Sequence, residues 1–423
     1  MRIICGYNVN LDSVYTIGGN EIVKYLGNHN MIEKVLKHPA SSFEGIYSIE
    51  DFFRGLLLNM KSGSGAEWLI FNHEVVKSLK ECFGEKSDII IGGNAGNITN
   101  VLSELGASLV LPNIARHSKV QTELFHRKNI KTKTRVRNSE NEESIHFVFN
   151  FNKGTHVQVG DLDFIVPHDD RFIATYDPAN IALEVDPFFE EYLLQFADSF
   201  DGAIFAGFHL LLKEYSDGST YKDKLNKFIR HAASLKKQNP NMFIHVELGY
   251  FQSDIVESYL LKNLFHVDSL GLNEVELSRC ILIKDNKKLI AGINDLQIGD
   301  ITMASLQILQ AADLNRVCVH TGEFVVSVFK KGFIKPADEI KALRFAVRTA
   351  ASYAATGKHG NLEYIEQTTK NIPLRNSKTT SLKNYYVCMV PVMRCEKPVT
   401  TVGLGDTFTA AAFLRELELA KQA

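Results

Sequence analysis

A short glycine-rich segment near the end of the chain, Gly403-Leu404-Gly405-Asp406, combines residue types that could catalyse transfer of a phosphoryl group. Apolar residues recur behind it with helical spacing, which predicts an amphipathic helix whose first turn contains Asp406. The N–H groups that are free at the start of a helix, together with the helix dipole, bind anions such as phosphate. Asp406 beside such a phosphate could accept a proton from an attacking hydroxyl. The alternative is structural, because an aspartate that caps a helix after a glycine turn has the same pattern.

Other polar residues follow short apolar runs, where buried strands are expected to end. They include an H-x-E pattern ending at Glu247, an N-x-x-E pattern ending at Glu276 and a glycine turn at Gly92 and Gly93. Each pattern also has a structural explanation, as strand packing, a helix N-cap and a tight turn respectively. The other candidates in such positions are Asn10, Asp12, Asn94, Asn97, Gly207, His209, His320 and Thr321.

From about residue 175 onwards, apolar runs alternate with helical patterns, which predicts a doubly wound, mostly parallel α/β sheet with helices on both faces. Residues 337–357 predict one long helix that ends at Gly357. The segment 144–159 has period-two alternation, which predicts strands with one exposed face in a smaller, β-rich domain. The predicted large domain comprises 1–12, 76–111 and 175–423, and the smaller domain comprises 13–75 and 112–174. Ligands bind beyond the carboxyl ends of the strands in such sheets, so the polar residues above are expected to meet there.

The composition argues against several classes of protein. The 423 residues carry a formal net charge of −2, which gives no basic surface for nucleic acid or an anionic membrane. The six cysteines are scattered without a C-x-x-C pair, which argues against a zinc site and a disulfide framework and favours a reducing cytoplasm. No apolar run reaches membrane-spanning length, and the first residues lack the pattern of a signal peptide. We therefore expect a cytoplasmic globular protein with small-molecule ligands, whose oligomeric state the sequence does not indicate.

In their order along the chain, these residues resemble the ADP-dependent glucokinase and phosphofructokinase family, within the ribokinase-like superfold. The resemblance covers essentially the whole chain and rests on NVNLD, GAEW, IGGNAGN, IHFVFNFNKG, DRFIATYD, VHTGEF and TVGLGDTF, with the H-x-E and N-x-x-E patterns. TVGLGDTF alone is typical of the wider superfold, whereas H-x-E, N-x-x-E and IHFVFNFNKG together are typical of the ADP-dependent branch. The resemblance implies a glycolytic kinase that transfers the β-phosphate of ADP to a sugar hydroxyl, under a lid formed by the smaller domain.

The resemblance also assigns roles to individual residues. Asp406 would be the catalytic base, and the amides of Gly403, Leu404 and Gly405 would bind the transferred phosphate. Glu247 and Glu276 would hold Mg²⁺ or another divalent cation, partly through water. The nucleotide would be bound by His320, Thr321, Val402, Gly403 and Gly405. The sugar would be bound by Asn10, Asp12, Glu67, Gly92, Gly93, Asn94, Asn97, Lys153, Arg171 and Gly207.

Two residues bear on the choice of sugar. Glu67 matches a sugar-binding glutamate of the family's glucokinases, and a carboxylate would repel a sugar phosphate. Lys153 matches a phosphate-binding lysine of the phosphofructokinases, although an exposed turn residue explains it equally well. We predict fructose 6-phosphate as the acceptor, with glucose close behind, or an enzyme that uses both. Asn94 departs from the glutamine of many members, which affects the choice of sugar and not the reaction.

Two other functions are compatible with part of this pattern. An ATP-dependent ribokinase-like kinase of a carbohydrate or nucleoside would keep the glycine segment with Asp406 and the early Asn10 and Asp12. Such a kinase would not be expected to combine the H-x-E and N-x-x-E patterns in a chain of this length. A non-catalytic sugar- or nucleotide-binding protein on the same scaffold would be expected to lose the base, yet Asp406 is present.

Overall fold

The computed structural model describes residues 1–28, 30–37, 45–125, 127–133 and 143–422. Its strands are β1 (Arg2–Gly6), β2 (Asn10–Thr16), β3 (Gly45–Ile46), β4 (Ala66–Ile70), β5 (Asp88–Gly92), β6 (Leu109–Pro112), β7 (Ile145–Phe151), β8 (His156–Val159), β9 (Leu162–Ile165), β10 (Asp170–Tyr176), β11 (Gly202–Phe205), β12 (Phe243–Glu247), β13 (Ser269–Asn273), β14 (Arg316–His320), β15 (Phe324–Lys330), β16 (Lys378–Ser381) and β17 (Tyr385–Pro391). Its α-helices are α1 (Gly19–Asn28), α2 (Ile32–Lys37), α3 (Ile49–Ser62), α4 (His73–Phe83), α5 (Asn94–Glu104), α6 (Lys119–Leu124), α7 (Pro178–Ile181), α8 (Pro187–Gln195), α9 (Tyr221–Gln238), α10 (Asp254–Leu261), α11 (Glu274–Arg279), α12 (Lys287–Asn294), α13 (Ile298–Ala311), α14 (Pro336–Thr356), α15 (Leu362–Thr369) and α16 (Leu404–Gln422).

Nine strands form the larger sheet, in the order β16-β17-β15-β14-β13-β12-β11-β1-β6. The strands from β14 to β6 run parallel to their neighbours, and β15, β17 and β16 extend the sheet with antiparallel pairing. In β1, Ile3 and Cys5 pack on one face and Ile4 packs on the other. Burial on both faces is what a continuous apolar run predicts for a strand of a parallel sheet. The predicted doubly wound, mostly parallel sheet is therefore confirmed.

Helices cover both faces of the larger sheet, as predicted. On one face α16 packs with α5 and α14, and Phe413 of α16 stacks on Phe243 of β12 with ring centroids 5.0 Å apart. On the other face α8, α9, α10 and α13 bury their apolar sides. The long helix α14 ends as predicted, because Gly357 caps it with φ 65°. The prediction of an amphipathic helix after the glycine segment is wrong for its first half, since residues 406–414 are buried on every side.

Six further strands form the smaller sheet, in the order β3-β4-β10-β7-β2-β5, and β8 and β9 form a separate hairpin. The prediction of one exposed face holds for β8, where alternate residues are exposed. It is wrong for β7, where Phe147, Val148 and Phe149 are buried in succession. β7 lies inside the sheet between β10 and β2, and helix α3 packs against the sheet at β10. β7 therefore has a neighbouring strand on both of its edges, whereas β8 pairs only with β9 in the hairpin.

Two segments lie in a different sheet from the one predicted. The predicted large domain included residues 10–12 and 76–111, yet β2 begins at Asn10 in the smaller sheet and β5 lies beside it there. The cause is strand pairing, because residues 10–14 pair antiparallel with residues 88–92. Helix α5 and strand β6 then return to the larger sheet. The chain therefore crosses between the sheets at the polar residues that were predicted to bind the sugar.

Hydrogen bonds fix the segments in which the chain passes from one sheet to the other. Nδ2 of Asn180, in the segment after β10, donates to the carbonyl of Val9 at 3.3 Å. Nδ2 of Asn113, which follows β6, donates to the carbonyl of Tyr7 at 2.9 Å. The carboxyl ends of the parallel strands therefore open towards the junction with the smaller sheet. None of the helices in the described part of the chain has the length and apolarity needed to cross a membrane.

Candidate active site

The glycine segment forms the start of a buried helix. α16 begins at Leu404, and Gly403 precedes it with φ 72°, a left-handed conformation that glycine adopts without strain. The carbonyl of Gly403 accepts a hydrogen bond from the N–H of Thr407 at 3.0 Å, so the earlier amides have no partner within the helix. A Cβ at position 405 would lie 2.9 Å from Cε1 of His320, which leaves room there only for glycine. This geometry fits an anion site at a helix start.

Two amide side chains from α5 hold the carboxylate of Asp406. Nδ2 of Asn94 donates to Oδ1 at 2.7 Å, and Nδ2 of Asn97 donates to Oδ2 at 2.8 Å. The two asparagines are three residues apart on α5, which places them on one side of that helix. Burial raises the pKa of Asp406 to about 6, against the lowering effect of the two amides. At neutral pH the carboxylate is therefore ionised and close to the pKa at which a base works well.

The beginning of β2 and the turn before α5 lie against this carboxylate. Nδ2 of Asn8 donates to Oδ1 of Asn94 at 3.1 Å, and Nδ2 of Asn10 donates to Oδ1 of Asp12 at 2.6 Å. Gly93 has φ 76°, and a Cβ there would lie 2.5 Å from the carbonyl oxygen of Asn8. Oδ1 of Asn10 is buried with no hydrogen-bond partner among the described residues. A buried acceptor of this kind is available to a hydroxyl group of a ligand.

Glu247, at the end of β12, accepts three hydrogen bonds. Its Oε2 accepts from Nε2 of His245 and Oγ1 of Thr409, each at 3.0 Å, and its Oε1 accepts from Nε2 of His320 at 3.1 Å. Burial would raise the pKa of Glu247, but the two histidines outweigh it and bring the pKa down to about 2. Glu247 is therefore a fixed negative charge in the interior of the site.

Glu276 lies in the first turn of α11 and forms a reciprocal cap with Asn273. Its N–H donates to Oδ1 of Asn273, and its Oε2 accepts from the N–H of Asn273, both at 2.9 Å. The capping interpretation of the N-x-x-E pattern is thus confirmed as local structure. Burial raises the pKa of Glu276 to about 8, and the charge of Glu247 adds to the rise. Among the described residues, no group of three or more His, Cys, Asp or Glu side chains is arranged to hold a metal ion.

A cleft of about 660 Å³ opens between the smaller sheet and the carboxyl edge of the larger sheet. Glu67 of β4 and Arg171 of β10 line it from the smaller sheet. Glu276 and Arg279 of α11 line it from the opposite side. Asn94, which holds the carboxylate of Asp406, also lines it. The cleft therefore brings together basic, acidic and amide side chains from both parts of the chain.

Buried ionisable side chains that were not predicted lie beside the cleft. Nε2 of His146 is 2.9 Å from Oδ2 of Asp177, and its Nδ1 is 3.9 Å from Oδ1 of Asp12. Burial would lower the pKa of His146, but the hydrogen bond with Asp177 and the surrounding acids raise it to about 9. His209, which the sequence did indicate as a candidate, lines the cleft, and its Nδ1 has no partner in the described part of the chain. His146 and Asp177 stand within IHFVFNFNKG and DRFIATYD, but nothing in their local pattern marks their role.

An apolar cavity of about 220 Å³ lies at the helix start, beyond Gly405. Leu404, Gly405 and Phe408 line it from α16, and His320 and Thr321 line it from the end of β14. The hydroxyl of Thr321 is engaged in the local turn, where it donates to the carbonyl of residue 324 at 2.9 Å. Other lining residues come from α14: Val347, Ala350, Ala351 and Ala354. The cavity suits a flat apolar group whose polar end reaches the helix start.

Several predicted site residues line neither space, and Lys153, Val402 and Gly207 are three of them. Lys153 is exposed in the turn between β7 and β8, and its N–H donates to Oδ1 of Asp169 at 2.6 Å. Val402 is close to the apolar cavity in sequence but is not part of its wall. Gly207 has φ 90°, and a Cβ there would lie 2.6 Å from Cβ of Asn8, so its role is to admit Asn8. Asn8 itself was not predicted, although it is the first residue of the NVNLD motif.

Comparison with known proteins identifies the family. A model of the ADP-specific Phosphofructokinase/Glucokinase conserved region matches residues 1–415. The chain belongs to this family. An ADP-specific phosphofructokinase of Methanosarcina acetivorans is 27% identical, over 98% of this chain and 93% of the relative. An ADP-dependent glucose/glucosamine kinase of Pyrococcus abyssi is 25% identical, over 99% of this chain and 94% of the relative.

A solved structure of an ADP-dependent kinase in complex with fructose-6-phosphate and ADPβS is similar to this chain with a TM-score of 0.81. The match covers 100% of this chain and 94% of that one, at 26% identity. Family membership and this likeness confirm the predicted ribokinase-like fold and the predicted ADP-dependent phosphoryl transfer to a sugar. Both substrates, ADP and a sugar or sugar phosphate, are therefore small molecules.

Proposed function

We propose that this chain transfers the β-phosphate of ADP to fructose 6-phosphate, with the sugar in the cleft and ADP reaching the helix start from the apolar cavity. The observation that carries the proposal is the position of Asp406. Its carboxylate is hydrogen-bonded to Asn94 at the cleft, while Leu404 and Gly405 of the same turn line the apolar cavity. A base and an anion site therefore lie between the spaces for acceptor and donor, which is the arrangement that phosphoryl transfer requires.

Asp406 is the proposed base for the attacking hydroxyl. Asn94 and Asn97 hold its two oxygens in place and keep it ionised at neutral pH. The amides at the start of α16 are proposed to stabilise the charge of the transferred phosphate. We also propose that the smaller sheet, with α1 to α4, closes over the sugar as a lid and excludes water as a competing acceptor.

The basic side chains of the cleft favour a sugar phosphate. Arg171 and Arg279 line the cleft from its two sides, and a phosphate group could pair with both guanidinium groups. Lys153 lies beyond the lining, but its turn is hydrogen-bonded to Asp169, two residues before Arg171. Closure of the lid would carry this turn towards the cleft, so phosphate binding by Lys153 stays part of the proposal.

Glucose is the second candidate acceptor, and Glu67 is the observation that favours it. Glu67 lines the cleft, and its Oε1 accepts from Oγ1 of Thr175 at 2.6 Å, which leaves the other oxygen for a ligand. A carboxylate in this place accepts hydrogen bonds from a free sugar and repels a sugar phosphate. The relatives that this chain resembles include kinases of both kinds.

Mg²⁺, or another divalent cation, is the proposed metal for Glu247 and Glu276. The donor set fits, because the charge of Glu247 raises the pKa of Glu276, and a cation bound by both carboxylates would relieve that repulsion. Mg²⁺ needs only one or two carboxylates and keeps several waters, so direct contact from both residues is not required. When bound, the cation would neutralise charge on the phosphate that is transferred.

The proposed compartment is the cytoplasm. All six cysteines are described, and none of them forms a disulfide. Free cysteines in these numbers are usual where the environment keeps thiols reduced.

The experiment that tests the function measures AMP release from ADP and Mg²⁺, with fructose 6-phosphate and glucose in parallel and ATP as the control donor. We expect AMP with fructose 6-phosphate, and a smaller rate with glucose. AMP with glucose alone would refute the choice of sugar and leave the reaction standing. Formation of ADP from ATP, with no AMP from ADP, would refute the proposal that ADP is the phosphoryl donor.

A further inference from the structure

A second large cavity, of about 500 Å³, lies outside the active site. It shares no lining residue with the cleft or the apolar cavity. Its wall is formed by the first turns of α9, the segment that leads into α8 and the segment after β6. Cavities of this volume commonly bind small molecules. The charged side chains that line the cavity indicate which kind of small molecule it would bind.

Four cationic side chains converge on this cavity. Lys224, Lys227 and Arg230 follow each other at three-residue spacing on α9, and Lys133 approaches from the segment after β6. Lys227 pairs with Glu190 at 3.2 Å. In the described ranges, the other three cations have no carboxylate within ion-pairing distance. Like charges gathered around one cavity repel each other, and a bound anion would relieve that repulsion.

The carboxylates of the same wall already have other partners. Glu184 forms a two-pronged ion pair with Arg116, with a closest distance of 2.6 Å. Asp186 caps α8, and Asp223 caps α9, each by accepting from backbone N–H groups. These three acids therefore stabilise the wall itself. Lys133, Lys224 and Arg230 have no carboxylate partner among the described residues, and Lys224 lies 4.8 Å from the ring centroid of Tyr215.

A buried histidine adds a second requirement for that ligand. His117 is only 6% exposed, and its Nε2 is 2.9 Å from Oγ1 of Thr122. The hydroxyl of Thr122 also lies 2.9 Å from the carbonyl of Ser118, which can only accept; with its one proton directed there, the hydroxyl accepts from Nε2 of His117. Nδ1 is then a bare acceptor, and it has no partner among the described residues. An unpaired buried acceptor costs free energy, which a ligand hydroxyl would recover.

We propose that this cavity binds a phosphate ester that also carries a hydroxyl group. The phosphate pairs with Lys133, Lys224 and Arg230, and the hydroxyl donates to Nδ1 of His117. The site adjoins the junction of the two sheets, because Asn113 bridges the carbonyls of Glu184 in the cavity wall and of residue 7 at the end of β1. A ligand in this cavity would therefore contact the wall that is hydrogen-bonded, through Asn113, to the segment leading from β1 into the proposed lid.

Isothermal titration of the intact protein tests this proposal without any activity measurement. The probes are glycerol 3-phosphate, inorganic phosphate and glycerol, each added after AMP and Mg²⁺ have occupied the proposed nucleotide side, so that binding in the open cleft is reported by the Arg171→Ala variant. We expect glycerol 3-phosphate to bind more tightly than inorganic phosphate, and glycerol not to bind. The double variant Lys224→Ala/Arg230→Ala should weaken glycerol 3-phosphate binding by at least about tenfold, because two charge-assisted contacts are lost.

Matched variants separate this cavity from other anion sites. Lys237→Ala removes an exposed lysine from the far end of α9, and Arg171→Ala removes a cation from the cleft. Both should bind glycerol 3-phosphate as the unchanged protein does. The proposal would be overturned if Arg171→Ala lost binding, or if Lys237→Ala weakened binding as much as the double variant does. It would also be overturned if no phosphate probe gave heat at millimolar concentration. His117→Asn should abolish the preference for glycerol 3-phosphate over inorganic phosphate, and an unchanged preference would refute the role of Nδ1.

Discussion

Asn97→Ala should move the acid limb of the pH–rate profile to higher pH. Asn97 donates to Oδ2 of Asp406 at 2.8 Å and is the larger of the two amide effects that lower the pKa of that carboxyl. Without this donor, the ionised form loses support while the burial that disfavours it remains. The folded-state pKa of Asp406 should therefore rise from its present value of about 6.

The size of this shift follows from the contact that is lost. A hydrogen bond to a charged group contributes about 1.5 to 3 kcal/mol, and about 1.4 kcal/mol corresponds to one pKa unit. Water can enter the space left by Asn97, so the lower figure applies and the pKa should rise by about one unit. At pH 6 the ionised fraction of Asp406 would then fall about fivefold, whereas above about pH 8 it would hardly change.

The assay is kcat/KM for the sugar, from AMP release between about pH 5 and pH 9, because this ratio reports groups of the free enzyme. Asn97 is also a proposed sugar ligand, so a lower plateau at high pH is expected in addition to the shifted limb. Asn100→Ala is the control, since Asn100 lies one turn further along α5 and makes no hydrogen bond to Asp406 in the described structure. A lower plateau with an unmoved limb would refute the claim that Asn97 tunes the base.

Asp406→Asn should keep AMP binding and lower kcat by at least about a hundredfold, and near-normal turnover would reject Asp406 as the base. The same variant should be more stable than the unchanged protein above pH 6, by up to about 3 kcal/mol. The sign follows from the pKa of Asp406, which is raised from 3.8 in the unfolded chain to about 6 in the folded protein. Ionisation of Asp406 therefore lowers the stability of the unchanged protein as the pH rises from 3.8 to about 6. Equal urea midpoints of the two proteins at pH 8 would contradict this expectation. Glu276→Gln keeps the capping hydrogen bond and should raise the Mg²⁺ concentration needed for half-maximal rate, whereas an identical Mg²⁺ titration would count against a metal role. Arg171→Ala and Lys153→Ala should each raise KM for fructose 6-phosphate about tenfold and leave KM for glucose unchanged, and equal effects on both sugars would sink the phosphate assignment.

The parts of the site that lie close together in sequence could be predicted from sequence. The glycine spacing around Asp406 implied a helix start with free amides, and α16 begins at Leu404 as expected. The N-x-x-E pattern implied a capped first turn, and Asn273 and Glu276 form that cap. Gly357 implied the end of α14 for the same reason, since its left-handed conformation depends on local backbone geometry alone.

The parts that depend on distant contacts could not be predicted from single motifs. Asn94 and Asn97 meet Asp406 only because α5 packs against α16, and a separation of more than three hundred residues leaves no local signal. Pairing with β2 places β5 in the smaller sheet. The apolar residues of β5 would suit a strand of either sheet, so its own sequence does not indicate which one it joins. Arg279 lies three residues after Glu276 on the same helix. Only the structure shows that it lines the same cleft as Arg171.

Three carboxylates at one edge of the larger sheet differ in protonation because their surroundings differ. His245 and His320 outweigh the burial of Glu247 and bring its pKa down to about 2, so it carries charge at every working pH. Amide donors only partly offset the burial of Asp406, which leaves its pKa at about 6 and makes it able to take and release a proton. Burial and the charge of Glu247 raise the pKa of Glu276 to about 8, so the cation proposed for this site would favour its ionised form. The fold therefore sets the pKa values of three carboxylates apart, which suits the different roles proposed for them as fixed charge, base and cation ligand.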